Sequence, residues 1–303
     1  MEKKYVELVN KETYAYLEQG KGNKNLILIH GNTASSVYFK PLLERLPEDI
    51  HVYAIDLRGF GDSTYNKPIE TLKDFADDIY LFMEKLDINK ADVLGWSLGG
   101  GAVLEFAAKY PKKLNKLILL DSASYKGYPV FKKDENNQMI VGEVYDSREE
   151  MAKDPVQVLP LLNAYKTKNL DLIKTIYSMT IYNVNKPNED DFNLYAKETL
   201  KQRNLVDVDY ALASLNMGKE PTLYSKGDNT VSDIEAETLH IWGSHDLMVP
   251  ESMVKTNVDA IKNSTFVKFD QCGHSPLVDK PDQLSKVIID FIGWMSRIGV
   301  FDI

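Results

Sequence analysis

Apolar residues occupy consecutive positions at Leu26-Ile27-Leu28-Ile29, the mark of a strand buried on both faces. The same character returns at Val52 to Leu57, Ala91 to Leu94, Leu117 to Leu120, Thr238 to Trp242 and Thr265 to Phe269. Amphipathic helical patterns lie between them. One carries Phe39, Leu42, Leu43 and Leu46 behind Ser35 or Ser36 as cap; others run over about 72–86, 251–261 and 281–295. Apolar strands alternating with helices predict an α/β fold: a mostly parallel twisted sheet, helices on both faces, and a ligand site at the carboxyl ends of the strands. Residues 5–9 and 13–17 alternate in polarity around Asn10-Lys11-Glu12 and predict a hairpin ahead of that sheet. Between Ser122 and Glu237 the pattern changes to helices only. Asp154-Pro155-Val156-Gln157 combines an N-cap, a Pro at the first helical position and a capping-box Gln. Asn169 and Asn188 are expected to cap two more helices, and Gly218 to stop a fourth. The expected organisation is a core of residues 1–121 and 238–303 with an all-helical insertion, 122–237.

Composition narrows the partners. A formal charge of −9 over 303 residues argues against a nucleic-acid or anionic-membrane surface. The one basic cluster, Lys109, Lys112, Lys113 and Lys116, falls where a helix ends and reads as a solvated end. No apolar run is long enough to span a bilayer, and the first residues have no signal-peptide core. Cys272 is the single cysteine, so no intrachain disulfide is possible, and a reducing cytoplasm is expected. No zinc spacing and no phosphate loop appears, so neither metal nor cofactor is expected. The insertion holds nine of the 17 Tyr residues, either to line a pocket for a partly apolar ligand or to build its own small core.

The chemistry concentrates at Gly95-Trp96-Ser97-Leu98-Gly99, which follows the run Ala91 to Leu94 and opens into a small-residue helix that Pro111 stops. A strand, a sharp turn with Ser at its tip and a helix match the G-x-S-x-G nucleophile elbow. A Ser at positive φ leaves no room for Cβ atoms beside it, and Gly95 and Gly99 supply that room. The helix start directs free N–H groups at the same point, where an oxyanion would be stabilised. Gly95, Gly99, Gly100 and Gly101 do not have the G-x-G-x-x-G spacing of a dinucleotide site. A Ser nucleophile needs a base and a carboxylate to hold it, here in the chain order Ser, acid, His. Of the five His residues, His274 lies in a Gly/Pro loop beyond a strand's carboxyl end and is the candidate base. His30, His51 and His240 read as structural, and His245 stands too close to the favoured acid. That acid is Asp246, in the loop after Trp242; Asp121, at the end of an earlier strand, is its rival.

His30-Gly31-Asn32, Asp56-Leu57-Arg58-Gly59-Phe60-Gly61-Asp62-Ser63, the Ser97 elbow, Trp242-Gly243-Ser244-His245-Asp246 and Gly273-His274 resemble, in order, the signatures of the α/β-hydrolase family. The resemblance implies Ser97 as nucleophile, Asp246 as acid and His274 as base. It further implies an oxyanion hole from the backbone N–H groups of Asn32 and Leu98, supporting roles for His30 and Arg58, and a helical cap after the sixth strand. Haloalkane dehalogenases and epoxide hydrolases carry Asp where this chain has Ser97, and the G-G-S-W-G elbow of proline iminopeptidases is absent. The expected activity is that of a serine hydrolase acting on a small carboxylic ester or lactone. Alternatives on the same residues are a ligand receptor without turnover, C–C bond hydrolysis and cofactor-free perhydrolysis.

Overall fold

The computed structural model describes residues 2–293. Its strands are β1 (Lys4–Glu7), β2 (Thr13–Gln19), β3 (Lys24–Ile29), β4 (Ile50–Ile55), β5 (Ala91–Trp96), β6 (Leu114–Leu120), β7 (Phe131–Lys133), β8 (Met139–Val144), β9 (Glu237–Gly243) and β10 (Ser264–Phe269). Eight of them form one sheet in the order β1-β2-β4-β3-β5-β6-β9-β10. The two outer pairings, β1 with β2 and β2 with β4, are antiparallel; from β4 to β10 every pairing is parallel. The helices are α1 (Lys40–Leu43), α2 (Lys73–Lys85), α3 (Leu98–Lys109), α4 (Arg148–Met151), α5 (Leu159–Thr167), α6 (Leu170–Met179), α7 (Glu189–Thr199), α8 (Leu205–Ser214), α9 (Glu251–Ala260), α10 (Pro276–Asp279) and α11 (Pro281–Phe291).

The unbroken apolar runs are explained by the two layers they feed. Ile27, Ile29, Val93, Leu117 and Leu119 face Phe75, Ile79, Val103 and Phe106 of α2 and α3. Their alternates Leu26, Leu28, Leu94, Ile118 and Leu120 face the opposite side, with Leu42 and Leu43 of α1 and Leu284 and Ile288 of α11. Every parallel strand therefore ends at the same edge of a sheet covered on both faces, and β5 runs through its middle.

The segment between β6 and β9 departs from the helices-only reading. It contains the antiparallel pair β7 and β8, whose residues are exposed or half-buried and so leave no alternation to read. Asn169 and Asn188 cap α6 and α7, accepting from Leu172 N–H at 3.0 Å and Asp191 N–H at 2.9 Å. Asp154 instead closes a turn, accepting from the Val156 and Gln157 N–H groups, and α5 begins only at Leu159. Gly218 lies beyond the end of α8 at Ser214, and Ser35 makes no capping bond through its side chain. The last helix stops at Phe291, and the Met295 end of its expected span lies outside the described residues.

The first residues are bound into the molecule by charge. Lys3 Nζ is 2.8 Å from Asp56, 2.8 Å from Asp62 and 2.9 Å from Glu198 of α7. Lys201 binds Asp62 and Glu198 from the other side. No helix among the described residues is long and apolar enough to cross a membrane.

Candidate active site

Ser97 sits between β5 and α3 with φ 55° and ψ −117°, a conformation that costs a residue with a side chain of the order of 1–3 kcal/mol. Packing holds it there. Its N–H donates to Leu120 C=O at 3.0 Å, and its C=O accepts from Gly100 and Ala123. A Cβ on Gly99 would lie 2.3 Å from Ile29 O and 2.6 Å from His30 O, so only glycine lets α3 start against the end of β3. The matching Cβ on Gly95 would lie 2.4 Å from Gly99 O.

Beyond β10, His274 is buried and aimed by two bonds. Its Nδ1 donates to Asp246 Oδ2 at 2.8 Å, and its backbone C=O accepts from the Trp96 indole at 2.8 Å. Asp246 is held in turn, its Oδ1 accepting from the Met248 and Val249 N–H groups at 2.7 and 2.9 Å. β9 and β10 pair in parallel, which brings their carboxyl-end loops together. Asp121 does not reach His274. Its Oδ1 accepts from Gly243 N–H at 2.8 Å, and burial, with Asp246 close by, pushes its carboxyl well above the usual range. Asp121 thus stands behind Asp246 and holds its proton more tightly than an ordinary carboxyl.

Ser97 and His274 share the wall of a cavity of about 370 Å³ at the carboxyl edge of the sheet, without a hydrogen bond between their side chains. Such bonds often tighten only when substrate is bound. The Leu98 N–H, at the start of α3, and the Asn32 N–H are given no acceptor among the described residues. The Asn32 side chain is engaged at both ends: Nδ2 donates to Asp209 of α8 at 2.7 Å, and Oδ1 accepts from Thr33 N–H and Gln202 Nε2, each at 2.9 Å. Tyr177 of α6 donates to Thr33 at 2.7 Å, and Thr199 of α7 donates to Thr33 C=O at 2.7 Å. Three helices of the insertion therefore fix the loop that presents Asn32.

The other histidines are structural. His30 accepts from Leu57 N–H at 3.0 Å on Nε2 and donates from Nδ1 to Gly31 C=O at 2.7 Å; burial depresses its pKa to about 4, so it stays neutral. His51 pairs with Glu18, His240 with Ser264, and the exposed His245 with Ser244. Arg58 makes a two-pronged buried ion pair with Asp78, 2.7 Å on each prong. Of the tyrosines in the insertion, Tyr128 and Tyr177 line the cavity, whereas Tyr182 and Tyr195 pack with Phe192 in a local core. Sequence reasoning missed Asp209, although its neighbours Leu205, Val206, Leu212 and Ala213 one turn away are all apolar. A carboxylate on the apolar face of a helix is the signal that marked it.

A family model described as alpha/beta hydrolase fold matches residues 24–281, most of the chain, and the chain belongs to that family. Among its relatives, a 2-hydroxy-6-oxononadienedioate/2-hydroxy-6-oxononatrienedioate hydrolase of Pseudomonas putida is 23% identical, the alignment covering 91% of this chain and 90% of the relative. A pimeloyl-[acyl-carrier protein] methyl ester esterase of Pectobacterium atrosepticum is also 23% identical, covering 90% of this chain and 96% of the relative. The solved esterase EaEST from Exiguobacterium antarcticum shares the fold at a TM-score of 0.72 and 18% identity, over 95% of this chain and 98% of that one.

Proposed function

We propose that the protein is a serine hydrolase that cleaves a small, uncharged carboxylic ester or lactone through an acyl-enzyme. The observation that carries this reading is the convergence on one cavity wall of Ser97 at the apex of its turn, the His274 ring held by Asp246, and Asn32 with its uncommitted N–H, the Leu98 N–H following Ser97 at the start of α3. In this reading His274 takes the proton from the Ser97 hydroxyl as it attacks the carbonyl carbon, and later returns it to the leaving alcohol. Asp246 keeps the ring in the required tautomer and balances the imidazolium. The two N–H groups hold the oxygen of the tetrahedral intermediate.

Cavity chemistry argues for an uncharged substrate. Among the described residues no Lys or Arg lines it, and the one carboxyl, Asp209, would repel the dianion that the name of the Pseudomonas relative describes. Carbon–carbon bond hydrolysis of such dioates is accordingly the weaker reading. In this reading the segment 122–237 is a cap, a role supported by Tyr128, Leu161, Tyr177 and Asp209, which line the same cavity as Ser97. A reducing, cytoplasmic setting is part of this proposal, on the ground that the sequence has one cysteine and can form no intrachain disulfide. A panel of chromogenic esters and lactones tests the proposal, with wild type and Ser97→Ala compared and a fluorophosphonate used as label. Sustained turnover that is lost in Ser97→Ala, with Ser97 the labelled residue, is the expected result. A single slow reaction per molecule points instead to a receptor, and label on another residue refutes the nucleophile.

A further inference from the structure

Asp209 is the only ionisable group on the cavity wall, among the described residues, that the proposed chemistry leaves without a task apart from the tyrosines. One oxygen accepts from Asn32 Nδ2 at 2.7 Å; the other has no partner in the chain and opens on the cavity. The cavity it faces is lined largely by apolar residues, Leu161, Ile176, Ile181 and Leu212 among them, with no Lys or Arg among the described residues. A carboxyl in an apolar wall is costly unless something donates to it. The chain supplies one donor, Asn32, and leaves the second place to a ligand.

The geometry points to Asp209 as a subsite for a substrate hydroxyl: its free oxygen accepts a hydrogen bond from an OH carried by the acyl or the alcohol part of the ester. This rests on the serine hydrolase reading, because Asn32 joins the two sites. Its backbone N–H is the proposed oxyanion donor and its side chain ends on Asp209, so the hydroxyl would sit about one side chain away from the scissile carbonyl. A hydroxyl suits the place better than the alternatives. A second carboxylate would be repelled, and an ammonium brings three donors where Asp209 leaves one oxygen free, whereas a hydroxyl brings one.

Three esters separate the possibilities: ethyl butyrate as reference, 2-hydroxyethyl butyrate with the hydroxyl on the alcohol side, and ethyl 3-hydroxybutyrate with it on the acyl side. The readout is the kcat/KM of each hydroxylated ester divided by that of ethyl butyrate, in wild type, Asp209→Asn and Asp209→Leu. One hydroxylated ester is expected to be preferred by wild type at least about tenfold, and Asp209→Leu to lose that preference. Asp209→Asn still offers Asn32 an acceptor and is expected to keep only part of it. A loosened Asn32 loop would slow all three esters alike and leave the ratio unchanged, which identifies a merely structural role.

Burial, with Asp154 nearby, raises Asp209 to about 7. A charged acceptor binds a hydroxyl more strongly than a neutral one, so the wild-type preference should grow between pH 6 and 8 and be flat in both variants. The other titratable groups around Asp209 are Tyr128, Tyr165 and, across the cavity, His274. The tyrosines stay protonated over this range, both being pushed upward by burial, and ionisation of His274 affects every ester and cancels in the ratio. Equal ratios in all three proteins, or no preference in wild type that hydrolyses ethyl butyrate, overturns the subsite alone. Failure of wild type to turn over any of the three, with Ser97 unlabelled by fluorophosphonate, overturns the hydrolase reading and this inference with it.

Discussion

His274 has one carboxyl group on its Nδ1 and a second behind that one, and the two differ in their partners. Asp246 accepts three hydrogen bonds, from His274, Met248 and Val249, whereas Asp121 accepts one and is otherwise enclosed. Replacing the first should therefore cost far more than replacing the second. Asp246→Asn is expected to fold and to lose about 10⁴ in kcat, because an amide favours the wrong imidazole tautomer and cannot balance its charge. Asp121→Asn keeps an acceptor for Gly243 and leaves the His274 contact untouched, and is expected to lose less than about tenfold. Steady-state kinetics of both, on whichever ester the wild type turns over, checks the ranking; equal losses would overturn it. Ser97, Asp246 and His274 were legible because each lies in a short local pattern with glycine or proline around it. Asp209 was not, since its importance comes from meeting Asn32, 177 residues away in the chain.

At the scale of elements, α6 and α7 are joined to the core by apolar packing and also by a buried hydroxyl network on Thr33. Tyr38, Tyr177 and Thr199 all take part, at 2.7 Å for each hydroxyl pair. Removing one member leaves a buried acceptor underserved. Tyr177→Phe should cost about 1–2 kcal/mol in urea unfolding. It should also lower kcat more than it raises KM, because the loop it releases carries the Asn32 N–H. A loss confined to stability would detach the network from the chemistry. Element by element, the buried parallel strands were readable from their consecutive apolar residues, and α6 and α7 from their Asn caps. The β7 and β8 pair was not, for a strand exposed on both faces has no hydrophobic period. Asp154 misled for a related reason: a capping signal reports only a local turn, and whether a helix follows at once depends on what the next residues pack against.

Over the whole molecule, burial of carboxyl groups sets one part of the response to pH. Glu105 on α3 is raised from its ordinary value to about 7 by burial, with Lys73 opposing the shift. A folded-state pKa above the unfolded one means that the folded chain holds the proton more tightly, so this contribution to stability is complete below about 4.5 and is lost as pH rises through about 7. Glu105→Gln should remove the loss, stabilising the protein at pH 8 by the order of 2 kcal/mol relative to its effect at pH 4. Thermal melts of wild type and variant across that range read it directly, and parallel pH curves would mean that Glu105 is not the titrating group. The order of strands in the sheet was only partly foreseeable: adjacency of β9 and β10 follows from their succession, whereas placing β3 between β4 and β5 is a decision of tertiary packing. The Lys3 cluster has a thermodynamic corollary. An ammonium held by Asp56, Asp62 and Glu198 is a clasp that closes a loop of 195 residues between the beginning of the chain and α7. Sheet and insertion then share one cooperative unit and should melt in a single calorimetric transition, with van't Hoff and calorimetric enthalpies equal. Lys3→Met leaves Lys201 on Asp62 and Glu198 as the remaining cation of the cluster and Asp56 without one; the insertion is expected to melt first, as a separate peak at lower temperature.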